Sequence, residues 1–105
     1  MLKRASPPAH PGTILRELFM KERNLSATDL AKGLGMSRAN VSAVINERAG
    51  ISPELAVKLS AAFGNSATFW TNLQTNYKLW HTEKRVKRSG IWRFKLPRTR
   101  ESAHA

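Results

Sequence analysis

The chain has 105 residues, with 18 Lys and Arg against 7 Asp and Glu, a formal net charge of +11, and no cysteine. That length supports one small core, the lack of cysteine excludes disulfides and thiol chemistry, and no window approaches the roughly 18 apolar residues of a membrane span. The surplus of cations points to polyanionic partners, because neutralising phosphates releases condensed counterions.

Residues 1–9 read as a flexible leader, since Ser6-Pro7-Pro8 cannot sit in a helix interior. Lys3 and Arg4 are not followed by the apolar stretch of a secretory signal. Pro11 suits a first helical turn, where its missing N–H costs nothing. The helix expected over Thr13–Arg23 pairs Ile14 with Leu18 and Leu15 with Phe19, and Asn24 is its stop. Ser26, with Asp29 three residues on, is an acidic variant of the capping box. It opens a second helix whose Leu30, Ala31 and Leu34 lie on one side.

Gly35-Met36-Ser37 then supplies a residue tolerant of positive φ, an apolar plug and an N-cap hydroxyl. The third helix, expected to run to about Glu47, turns Val41, Val44 and Ile45 inward. Two short one-sided helices across such a joint make a helix-turn-helix, whose second helix enters the DNA major groove.

At about 100° per residue the outer face of that helix carries Ala39, Ser42, Ala43 and Asn46, with Asn40 on the flank and Arg38 in the first turn. Arg38 is the candidate for guanine O6 and N7, and Asn40 or Asn46 for adenine or phosphate. The two alanines suit thymine methyls, and Ser42 suits several bases. Phosphate contacts are expected from Ser26, Thr28 and Lys32 around the start of the second helix, from Ser37, and from Arg48 in the following loop.

Ser52, Pro53 and Glu54 are a cap, a first helical residue and a charge suited to the helix's positive end. The fourth helix places Leu55, Leu59 and Phe63 on one stripe, with Ala56 and Ala62 beside it, and stops at Gly64. Ser66 caps a fifth helix over roughly Ala67 to Glu83. Trp70, Leu73, Tyr77 and Trp80 recur there at 3, 4, 3 spacing, the seam of a helix that packs on another helix. They are assigned to a homodimer interface, with Phe69 and Leu79 turned to the domain's own core.

Past Val86 the periodicity changes. Trp92, Phe94 and Leu96 alternate with Arg93 and Lys95 between Gly90 and Pro97, the pattern of a short strand. A lone strand is unstable, so it pairs with the same segment across a dimer, with a partner protein's sheet edge, or with nothing until binding. Residues 81–105 hold eight basic and two acidic side chains, and 98–105 are expected to be disordered. The organisation is therefore all-α: a leader over 1–9, a five-helix lambda-repressor-like helix-turn-helix domain over 10–85, and a basic arm over 86–105. His10, His81 and His104 lie far apart, and no acidic cluster has ligand spacing, so neither catalysis nor a metal or other cofactor is expected.

Four segments, HPGTILREL (10–18), the helix-turn-helix, GISPELAVKLSAAFG (50–64) and ATFWTNLQTNYKLW (67–80), resemble the HigA family of antitoxins. These are cro/repressor-type regulators of type II toxin–antitoxin modules. The resemblance covers about residues 10–80. It implies a cytoplasmic homodimer that binds a palindromic operator in double-stranded DNA, represses its own operon and neutralises a RelE-like ribonuclease toxin by direct contact. It also implies that the helix around Trp70, Leu73, Tyr77 and Trp80 contributes to dimerisation. The alternatives are a stand-alone repressor of the same fold and a nonspecific basic nucleic-acid-binding protein.

Overall fold

The structure is a computed structural model that describes residues 6–97; residues 1–5 of the expected leader and the tail at 98–105 lie outside the described residues. The first helix starts as α1 (Pro11–Ile14), continues as π-helical turns over Leu15–Met20 and closes as a 3-10 turn over Lys21–Arg23. Asn24 ends it at φ 53°, as its side chain permits. The i→i+5 turn places Leu15 and Met20 on one face. Both are therefore buried while Leu18 points outward, which differs from the i, i+4 pairs expected of a regular helix.

Helices α2 (Ala27–Leu34), α3 (Arg38–Ile45), α4 (Pro53–Phe63) and α5 (Ala67–Arg85) follow. Each begins at its expected serine. The hydroxyls of Ser26, Ser37, Ser52 and Ser66 accept from the N–H three residues on, and Asp29 answers Ser26 to complete the capping box. Gly35 sits at φ 67°, the left-handed conformation that lets α2 end and α3 leave at an angle. Helix α3 stops at Ile45, two residues short of the expected Glu47, because Glu47 itself turns left-handed at φ 63°.

One core gathers Leu15, Met20, Leu30, Ala31, Leu34, Val41, Val44, Ile51, Leu55, Ala56, Leu59 and Trp70. Ala31 and Ala56 are its small residues, both almost wholly buried. Trp70 is the centrepiece, packed against Phe19 at 4.8 Å, Phe69 at 5.1 Å and Phe63 at 6.3 Å between ring centres. Its indole N–H donates to Asn65 Oδ1 at 2.8 Å, so the ring is buried with its polar atom satisfied.

After Arg85 the chain leaves the body, and among the described residues no strand forms. The radius of gyration of 19.4 Å far exceeds the about 13 Å of a compact chain this long. Residues 86–97 are exposed throughout. A single chain offers the alternating segment no edge to pair with, so its strand pattern goes unused here.

Candidate nucleic-acid interface

Recognition by a helix needs side chains standing outward and a backbone that holds its pose. On α3 the outward set is as expected: Arg38, Ala39, Asn40 and Asn46 are exposed, Ser42 and Ala43 are half-buried, and Val41 and Val44 are buried behind them. Ser42 and Asn46 act together. The Asn46 amide donates to the Ser42 carbonyl at 2.9 Å and to its hydroxyl at 3.1 Å, which fixes the orientation of the amide. Among the described residues Arg38 and Asn40 make no side-chain hydrogen bond, and both are exposed.

Phosphate candidates are distributed unevenly. Lys32, Thr28 and Arg48 are exposed at the ends of α2 and α3, as expected. The N-terminus of α2, by contrast, is already occupied by its own anion. The Asp29 carboxylate accepts the Ser26 N–H at 3.1 Å, and that N–H, then the Ser26 hydroxyl, hold the carboxyl below its ordinary range. A carboxylate there repels a phosphate, so Thr28 and Lys32 are better placed than Ser26. Ser37 has its hydroxyl committed as the α3 cap, accepting the Asn40 N–H at 3.1 Å, and keeps only its own proton to offer.

The residues that hold α3 in place come from the first helix. Arg16 donates to the Ile45 carbonyl at 2.6 Å, satisfying an orphan acceptor at the C-terminus of α3, where a cation is also favoured by the helix dipole. The Thr13 hydroxyl donates to Glu47 at 2.8 Å. Gly12 lies so close to the Val44 carbonyl that a Cβ there would collide with it. His10, only 7% exposed, caps α1 by accepting the Gly12 N–H on Nδ1 at 2.9 Å, and its ring meets the edge of Tyr77 at 4.8 Å. Its burial lowers the imidazole pKa, with Glu47 opposing. The sequence alone does not single out any of these four as functional. Arg16, Gly12 and Thr13 meet α3 and its following turn about thirty residues on, and His10 meets Tyr77 further still, so His10-Pro11-Gly12 is the sole local signal.

The fifth helix corrects part of the expected dimer seam. Trp70 has 0% of its surface exposed, so it belongs to this chain's core and is not available to a partner. The phase of α5 places its first turn over α4 and the first helix, which consumes the start of the aromatic stripe. Leu73 packs half-buried on the core, Tyr77 leans on His10, and Trp80 lies half-buried between His81 and Lys84. Of the two residues expected to face inward, Phe69 is partly exposed but keeps its ring against Trp70 and Phe19, whereas Leu79 is turned out.

The helix-turn-helix family model matches residues 15–70. Antitoxin HigA of Pseudomonas aeruginosa, solved with the higBA promoter, superimposes with a TM-score of 0.73 at 40% identity, over 74% of this chain and 85% of that one. The chain belongs to the HigA branch of the helix-turn-helix family. Antitoxin GraA, solved in complex with its operator, is 36% identical to this HigA-family chain with a TM-score of 0.78, over 92% of this chain and all of that one. Virulence-associated protein I of Dichelobacter nodosus is 42% identical over 77 residues, 73% of this chain and 71% of its own length. Among the described residues of this HigA-family chain, no three His, Asp or Glu side chains converge as a metal site, and no helix is long and apolar enough to cross a membrane.

Proposed function

We propose that the chain is the antitoxin of a type II module: a cytoplasmic, DNA-binding homodimer that represses its own operon and neutralises a RelE-like ribonuclease by direct binding. The observation that carries the DNA role is the outward face of α3, with Arg38, Asn40 and the Ser42–Asn46 pair free of the core and the helix pinned at its far end by Arg16. Its structural neighbours include an antitoxin on a promoter and another on its operator, which supports the same pose here. Base reading falls to Arg38, Ala39, Asn40, Ser42, Ala43 and Asn46, and phosphate holding to Thr28, Lys32, Ser37 and Arg48 with a lesser part for Ser26. The dimer surface is assigned to the outer part of α5, from Leu73 through Tyr77 to Trp80, without Trp70. A two-fold arrangement would present two α3 helices to a palindromic site.

The test is a mobility-shift titration with the DNA upstream of the chain's own gene, followed by coexpression with the neighbouring reading frame. Specific retardation and copurification of a small ribonuclease are the expected results. Retardation with no toxic neighbour would leave a stand-alone repressor, and equal affinity for random duplex would remove the repressor role.

A further inference from the structure

Among the described residues, the arm beyond α5 holds the most exposed of the large apolar side chains. Trp92, Phe94 and Leu96 are 80%, 87% and 86% exposed, an exposure at which large apolar side chains ordinarily signal a missing partner. Residues 84–97 carry Lys84, Arg85, Lys87, Arg88, Arg93 and Lys95 and no carboxylate. One of these cations, Arg88, is answered by Glu83 at 3.0 Å, and Lys84 lies over the Trp80 ring at 4.6 Å. Among the described residues the rest have no acidic partner.

Charge selects the occupant. A second copy of the arm would bring like charge against like charge, which disfavours pairing of adjacent strands. A polyanion meets the opposite situation, gaining counterion release with each phosphate neutralised. The aromatic rings select further among polyanions. In a duplex the base faces are already stacked on one another, leaving Trp92 and Phe94 nothing to cover. In a single strand they are open, and every base has a π-face that an aromatic side chain can take. Drawn out along a ligand, the arm turns Trp92, Phe94 and Leu96 to one side and Arg93 and Lys95 to the other. A strand bound along the arm therefore stacks its bases on one side while its backbone passes the cations.

We propose that residues 84–96 form a second nucleic-acid site, one that takes single-stranded DNA or RNA without sequence preference and is separate from the duplex-reading α3. Nothing in this surface addresses the sugar, so thymidine and uridine strands of one length are equivalent ligands.

The experiment uses the full chain and measures fluorescence anisotropy of a labelled thymidine oligomer of about 15 nucleotides, and of a random duplex of the same length. The parent protein is expected to bind the single strand with quenching of tryptophan emission that the variant lacking Trp92 does not show. The variant Trp92→Ala with Phe94→Ala should lose about tenfold or more on the single strand, with duplex affinity and helix content unchanged. Trp92→Phe should restore most of the loss attributable to position 92. Undiminished single-strand binding by the double variant overturns the proposal, as does an equal loss on duplex. A fall from dimer to monomer in light scattering also overturns it, since the arm would then be a strand shared between copies.

Discussion

Arg16 and Arg38 are both exposed enough to reach solvent, yet the structure gives them different work. Arg38 points away from the domain with nothing to hold, so its removal costs the fold little. If it makes the bidentate guanine contact, Arg38→Ala should cost about 1–3 kcal/mol on the operator and relax preference at one base in each half-site. Equal losses on operator and random DNA would reduce it to a phosphate contact. Arg16 touches no DNA in this scheme, but its guanidinium holds the last carbonyl of the reading helix. Arg16→Ala should lower stability by about 1–2 kcal/mol, the low end for a charge-assisted bond at a partly exposed site. It should also weaken operator binding more than random binding, because a loosened α3 loses register before it loses charge. His10 adds a pH dependence at this same joint. Its Nδ1 must be unprotonated to accept the Gly12 N–H, and burial lowers its pKa beneath the ordinary 6.5. With the folded value lowered, the unfolded chain takes up the proton first, so the stabilisation is complete above about pH 6.5 and is lost as pH falls through the folded value. His10→Asn keeps a cap acceptor but does not titrate, so its melting temperature should fall less than the parent's on acidification. Parallel curves would show that His10 is not the titrating group.

The element scale shows what a one-dimensional pattern can and cannot carry. Four helix starts were legible because Ser caps, a capping box and Pro53 act within three or four residues of themselves. The turn between α2 and α3 was legible for the same reason, through Gly35. The first helix was legible at its ends, through Pro11 and Asn24, but not in its interior. Its π turns move Met20 into the core and Leu18 out of it, and no local residue announces an i→i+5 ladder. On α5 the aromatic spacing was real but its direction was not contained in it. A 3, 4, 3 stripe faces whatever lies beside it, and at Trp70 that is this chain's own Phe19 and Phe63. Trp70→Ala should therefore cost about 3–5 kcal/mol, the range of a fully buried large aromatic. It should lower the unfolding midpoint of monomer and dimer alike. A folded, unshifted monomer from that variant would return Trp70 to the interface.

For the whole molecule the question is how surfaces of one small domain divide among partners. The α3 face is polar and rigidly held, the arm is basic and aromatic, and the outer side of α5 is left with Leu79, 52% exposed, beside half-buried Tyr77 and Trp80. These are the residues with which a second copy can bury apolar surface without disturbing the core, since Trp70 stays behind them. Leu79→Asp with Trp80→Ala places a charge and a gap on that side while leaving the aromatic cluster around Trp70 untouched. The expected product is a folded monomer by light scattering and circular dichroism, with operator affinity reduced to that of one half-site. Because half as many cations then meet the DNA, the slope of log affinity against log salt should also fall by about half, each phosphate contact contributing roughly 0.9 on duplex DNA. A variant that stays dimeric with its salt slope intact would mean that the copies join elsewhere, and the outer face of α5 would then be open to the toxin.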